Sequence, residues 1–488
     1  MNFRRIEIWI PLLVSVIAAF GMLIGMKFDQ SLSKDGLIKA YIPSDDEAVY
    51  EAVQHINEKY YGAIDTNELT DEAIRSMIST LDDYSNYWDG MHHHHYKNYI
   101  NGIYEGRGLE VFPYADRFYV TNVVADSPAE ESGVMRGDEI IALDEVVMDS
   151  SVSMDSLHIL MRADRTLDIT VLRGDDEIKY KVAQRQIDVP STKTLILGKD
   201  SIIYSRINQF SQHAYRSFME DLEELKNKGH RVEHLILDLR SNPGGLLDES
   251  VKILNQMISE PQVTLVSTID NKENMTEYKS NGRTFINLDR IVVLIDERSA
   301  SASEIVAGSL QDLDRAVVVG QHSFGKGKIQ QNYELSNGGS ISLTVGEYLL
   351  PSGRSIAKGS AVDLDTVYTI HQKRPINVEY GVGPDVLISD SCDIYRERDY
   401  IAYLIENEQI SINEITSEDA KEIANSFTQN RNVGSCREYI SGEMVWFLSE
   451  TRVAEPYISE EFFDLHIAEA YDIITTDRYD QILSPQKL

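Results

Sequence analysis

Sulfur and positive charge are both scarce in this chain. Two of its 488 residues are cysteine, Cys392 and Cys436, too few for a disulfide scaffold and without metal-site spacing. Both fall in the last fifth of the sequence, so a single bridge between them stays open. Lysine and arginine number 46 against 79 aspartates and glutamates, a formal net charge of −33. A surface that acidic repels phosphate backbones, so nucleic acid is not an expected partner. Long apolar runs are nearly missing as well, which excludes a polytopic membrane protein. With 42% hydrophobic and 26% charged residues, the composition also excludes a collagen or a mostly disordered chain. The length exceeds what one core fills, so two to four domains are expected.

The one long apolar run lies near the start. Residues Ile8 to Met26 carry no charge and follow Arg4 and Arg5. At about 1.5 Å per residue the run spans about 28 Å, close to a bilayer core. A cleaved signal peptide would show a shorter apolar stretch and a small-x-small cut site, whereas Met26 is followed by Lys27-Phe28-Asp29. The expectation is an uncleaved single-pass anchor at 1–30. The two arginines stay cytoplasmic and send the body into the periplasm of a bacterial envelope.

Beyond the anchor the pattern changes several times. Val49, Val53, Ile56 and Tyr60 recur at helical spacing, and the region 31–99 reads as helical, broken at Asp65-Thr66-Asn67-Glu68. His92-His93-His94-His95 suggests a metal site, but adjacent side chains diverge on any regular element, so a solvated loop or helix end is expected. No metal and no cofactor is expected anywhere in the chain.

Residues 100–185 read as short strands with glycine-containing turns. Within them Ser127 is a candidate N-cap with Pro128 in the first turn of a short helix. The stretch SPAEESGVMRGDEIIALD is similar to the internal signature of a PDZ domain, a fold that captures peptide C-termini as an added strand. That resemblance puts the carboxylate-binding loop at Gly106-Arg107-Gly108-Leu109. Arg107 departs from the apolar residue usual there, and either supplies a cation for a carboxylate or points to solvent.

From Ile202 strands and helices alternate, which argues for an α/β layer with crossover connections. The buried-type runs HLILDL (His234 to Leu239) and IVVLI (Ile291 to Ile295) each end in a loop at a carboxyl end, where such sheets place their chemistry. The first loop is Arg240-Ser241-Asn242-Pro243-Gly244-Gly245 and the second leads to Ser299-Ala300-Ser301-Ala302-Ser303. A serine at a strand-to-helix transition is exposed beside backbone N–H groups able to face an oxyanion. Downstream, Ser323-Phe324-Gly325-Lys326-Gly327 brackets a lysine with glycines. Burial would favour a neutral Lys326 amine, able to take the proton of Ser301. A serine–histidine–aspartate arrangement using His234 or His322 with Asp238 or Asp312 is the alternative, and no spacing demands it. Lys328 is the nearest competitor to Lys326.

Taken in order, LILDLRSNPGGLLDESV, DERSASASEIVAGSLQD, VVVGQHSFGKGKIQQ and YLLPSGRSI resemble the carboxy-terminal processing (tail-specific) serine proteases with a PDZ domain. The resemblance covers about Asp45 to Asp390. It implies a ClpP/crotonase-like α/β core at 186–390, with Ser301 as nucleophile, Lys326 as general base and Gln330 orienting the lysine. It also implies an oxyanion hole from Ala302 with Gly244 or Gly245, a choice the sequence leaves open. The implied function is a Ser–Lys endopeptidase acting on envelope proteins or peptides with apolar C-termini. The rival is a catalytically idle PDZ-type peptide-binding or scaffold protein. Residues 391–488 form an acidic helical extension that is open between lid, partner surface and oligomerisation arm; a homo-oligomer stays open too.

Overall fold

Strands with near-continuous apolar runs can only be covered on both faces, and the central sheet shows how. Seven strands lie in the order Val386–Leu387, Val317–Gly320, Arg290–Ile295, His234–Asp238, Ile202–Ile207, Thr192–Leu197 and Tyr457–Ile458. All neighbours are parallel except Thr192–Leu197, which runs antiparallel to Ile202–Ile207. Alternate side chains then divide into two cores. Ile203, Leu235, Leu237, Ile291, Val293 and Val318 join the helices Ala214–Asn227, Leu247–Asn255 and Ala302–Asp312. Ile202, Tyr204, Ile236, Val292, Leu294 and Val319 face the other way, onto Tyr403, Phe427, Trp446 and Ile473 of the helices Glu397–Glu406, Ser417–Gln429, Arg437–Arg452 and Leu465–Thr475. The extension is therefore a layer of the core, a role its sequence did not reveal.

The computed structural model describes residues 45–484, apart from 162–164, 199–201, 361–366, 377–378, 389–396, 413–414, 430, 432, 434–435, 453–456 and 459–463. The expected anchor over Ile8 to Met26 lies outside the described residues, as does Cys392. Cys436 is held in a disulfide. Among the described residues no helix is long and apolar enough to cross a membrane. The chain divides into two units, 1–77 and 78–488. The first contributes the helix Asp45–Lys59 and most of Thr66–Ile78, separated where Asp65 Oδ1 accepts the N–H groups of Asn67 and Glu68.

Within the second unit, a six-stranded sheet forms around Leu109, Phe118, Val120, Ile140, Leu143, Leu157 and Ile169. Ser127 caps the helix Pro128–Ser132 as the sequence predicts, accepting the Glu130 N–H at 3.3 Å, and Gly133 ends it at φ +92°. A ribbon of Ile103–Gly106 with Arg185–Asp188 leads into and out of this domain. Its strand Leu109–Tyr114 pairs only with Arg117–Val123 among the described residues, leaving one edge open. Tyr114 hydrogen-bonds Glu406, so the hairpin tip rests on the extension.

Both readings of Arg107 are overturned. It is 1% exposed, and its guanidinium donates to the backbone carbonyls of Val182 (2.6 Å) and Arg165 (2.9 Å). With its guanidinium spent on these two carbonyls inside the domain, Arg107 is a strut of the domain rather than a carboxylate clamp.

The four histidines sit in the helix Gly90–Ile100, capped by Asp89, and splay as adjacent positions must. His92 meets Asp89, His93 meets Ser340, and His94 meets Glu105.

Candidate active site

Strands His234–Asp238 and Arg290–Ile295 are neighbours in parallel register, Asp238 opposite Leu294, so the loops that follow them emerge side by side. Three side chains sew the loops together. Ser299 Oγ donates to Leu239 O (2.8 Å), Ser303 Oγ donates to Asn242 O (3.0 Å), and Asp296 Oδ1 accepts the Ser241 N–H (2.8 Å). The serines flanking Ser301 are thus fasteners between the loops.

Ser301 stands between them as the residue preceding the helix Ala302–Asp312. It is 9% exposed and has φ +55°, a left-handed value that non-glycine residues adopt only when their surroundings impose it. The imposing group is Glu304, whose carboxylate is fully buried and accepts four donors. Oε2 takes the N–H groups of Ser301 and Lys326, both at 2.8 Å; Oε1 takes Ser323 Oγ and the Gly325 N–H, both at 2.6 Å. One side chain therefore fixes the backbone at Ser301 and at Lys326 together. The sequence reading passed over Glu304, although Ser301-x-x-Glu304 is a capping-box pattern that could have flagged it.

Lys326 is half-buried. Desolvation holds its amine below the usual lysine range, against the pull of the Glu304 charge, and Nζ lies 5.9 Å from the centre of the Tyr84 ring. Burial likewise pushes the Glu304 carboxyl up, opposed by its four donors. Lys328 is a different kind of residue: its Nζ is engaged by Glu347 at 2.6 Å. Among the described residues Gln330 makes no hydrogen bond to Lys326; its Nε2 donates to Thr344 Oγ1 at 3.4 Å on the neighbouring strand.

The loop glycines divide between two tasks. A Cβ on Gly244 would lie 2.7 Å from Ala300 O and 2.8 Å from Ser301 Cβ, so only glycine permits this close approach at φ +100°. Its N–H is committed to Asn242 Oδ1 at 2.9 Å. Among the described residues, the N–H groups of Gly245 and of Ala302 have no hydrogen-bond partner.

The histidine alternative finds no support in this arrangement. His234 begins its strand, at the end away from Ser301, and His322 packs its ring edge-on to Tyr380, 4.8 Å between centres. Asp238 is bound to Arg240, and Asp312 to Arg354.

With this geometry in place, the comparisons are specific. Residues 201–368 match Peptidase family S41, 104–183 match a PDZ domain, and 16–91 match the activating protease CtpB N-terminal domain. A carboxy-terminal-processing protease of Bartonella bacilliformis is 30% identical over 344 residues, covering 69% of this chain and 77% of its own length. The chain belongs to the carboxy-terminal processing proteases of family S41. It is a serine-type peptidase carrying a PDZ domain. A carboxyl-terminal-processing protease of a Synechocystis strain is also 30% identical, over 348 residues, covering 68% of this chain and 80% of its own. Among solved structures, a photosystem II D1 C-terminal processing protease is 24% identical, covers 70% of this chain and 87% of its own, and has a TM-score of 0.40.

For this S41 peptidase Glu304→Gln is a sharp test of the shared carboxylate. Each carboxylate oxygen meets two donors, so whichever way the amide turns, its NH₂ faces two of them. Loss of two buried hydrogen bonds, with donors left unpaired, is expected to lower unfolding stability by roughly 2–5 kcal/mol. Denaturant titration of the two proteins checks this; an unchanged midpoint would mean that the carboxylate does not organise the site.

Proposed function

We propose that this peptidase cleaves peptide bonds with a Ser301–Lys326 pair. The neutral Lys326 amine takes the Ser301 proton while Oγ adds to the scissile carbonyl. The oxyanion is met by the N–H groups of Gly245 and Ala302, with Gly244 supplying the close approach. Collapse of the tetrahedral adduct breaks the C–N bond, and the lysine proton passes to the leaving amine. Water, activated by the same amine, then adds to the acyl ester and frees Ser301. An oxyanion donor is typically worth about 3–4 kcal/mol of barrier, so two prealigned N–H groups carry much of the rate. The observation that carries this reading is the buried Glu304 carboxylate, which ties the strained Ser301 turn and the partly desolvated Lys326 into one rigid group. A serine-reactive phosphonate probe tests it directly: modification should map to Ser301 and fall to background in Lys326→Ala. Labelling mapped to another residue would overturn the assignment.

The same proposal extends to substrate choice and address. The PDZ domain, taken as residues 100–185, receives apolar peptide C-termini along the open edge of Leu109–Tyr114, ahead of a ClpP/crotonase-like core at 186–390. The anchor at 1–30 holds the enzyme at the inner membrane with its body in the periplasm, acting on envelope proteins. A substrate with a free apolar C-terminus is expected to be cleaved about ten-fold or more faster than its amidated twin, the mark of carboxylate capture. Deleting 100–185 should erase that preference. Equal rates for the two peptides in the intact enzyme would refute the role.

A further inference from the structure

The helices Arg437–Arg452 and Leu465–Thr475 bring together three ligating side chains that are separated in sequence. Glu443, Asp464 and His466 each offer one ligand atom, and these atoms lie within 4.8 Å of one another. His466 is 4% exposed, and among the described residues neither ring nitrogen has a hydrogen-bond partner; Glu443 Oε1 has none either. His466 Nδ1 stands 3.9 Å from Glu443 Oε1. That is too long for a hydrogen bond and close to the separation of two ligands on one ion, each about 2.0–2.2 Å from it. A buried imidazole with both nitrogens idle is costly, and a cation in the middle would remove that cost.

The surroundings are those of a metal carboxylate. Asp464 Oδ1 accepts the Ile467 N–H at 2.7 Å and Oδ2 accepts Arg240 Nη2 at 2.9 Å, which fixes the carboxylate from behind as outer-shell groups do. Arg240 in turn is bound to Asp238.

We propose that Glu443, Asp464 and His466 form a structural site for a divalent first-row cation of the zinc type. One imidazole and two carboxylates suit such an ion better than Ca²⁺ or Mg²⁺, which take oxygen ligands. The ion joins two helices of the extension, and through Asp464 and Arg240 it braces the Arg240–Gly245 loop beside Ser301. It takes no part in the peptide-bond chemistry, so the site stands or falls independently of the Ser–Lys reading.

Metal content decides the matter. The full chain, stripped with a chelator, is titrated with Zn²⁺ and with Co²⁺ and its bound metal counted. The surface histidines are a known competitor for such ions, so a variant with His92, His93, His94 and His95 all changed to alanine is titrated in parallel. One tight equivalent is expected in both proteins, with a visible Co²⁺ spectrum of nitrogen–oxygen ligation and an upward shift in Tm on loading. His466→Gln and Glu443→Gln, checked for native circular dichroism, are each expected to bind at least ten-fold more weakly and to lose the Tm shift. Should His466→Gln fail to fold, Glu443→Gln alone carries the comparison. The absence of a tight equivalent, or one that vanishes with the four histidines and survives in Glu443→Gln, overturns the site.

Discussion

Ser301→Ala is expected to lower kcat by about five to six orders of magnitude while leaving the unfolding transition unmoved. The size follows from the group removed: a nucleophile acting as one unit with its base leaves only binding and the oxyanion donors, worth roughly 10³–10⁴ over water. The silence on stability has a local reason. Glu304 holds the Ser301 turn through the backbone N–H, which alanine keeps. Single-turnover hydrolysis of an unfolded peptide, alongside thermal melts of both proteins, measures the two effects. Residual activity within a hundred-fold of the parent would show that another nucleophile does the work.

Lys326 carries the second large effect, and its sign can be worked out. Burial lowers its pKa, so the fraction of neutral base, and with it log kcat/KM, should climb with unit slope and level off above the folded value. Lys326→Ala should lose about four orders of magnitude or more, and Lys326→Arg should be inactive at every pH because guanidinium stays charged. Stability rises with pH as well. Between the folded pKa and the unfolded value of about 10.4, the unfolded chain binds more protons, so the parent becomes more stable as pH rises through that window. Lys326→Met avoids burying the charge, and should exceed the parent in stability below the folded pKa. The gap should close as pH approaches the unfolded value. Denaturant midpoints across pH test this, and a gap that stays constant would mean the amine is not desolvated.

Much of the frame was legible because each local pattern had a single physical outcome. The apolar runs Leu235–Leu237 and Ile291–Ile295 had to be sheet interior, and parallel neighbours place their following loops together. What was lost depended on partners that no spacing encodes. Arg107 looked like a loop cation because the carbonyls of Val182 and Arg165, far along the chain, are invisible from its position. Gln330 fell on a strand whose register turns its amide to Thr344. The helices after Glu397 showed an apolar stripe without saying which surface would receive it. Glu443, Asp464 and His466 follow no ligand spacing, since their meeting depends on how two of those helices pack.

The second core also has a temporal meaning. Tyr204, Ile236, Val292 and Leu294 wait for Phe427, Trp446 and Ile473, which the ribosome adds much later. Until those residues emerge, one side of the catalytic layer stays wet and the Arg240 loop lacks its distant acid. A nascent chain of this design completes its catalytic layer only after the helix Leu465–Thr475 has been delivered.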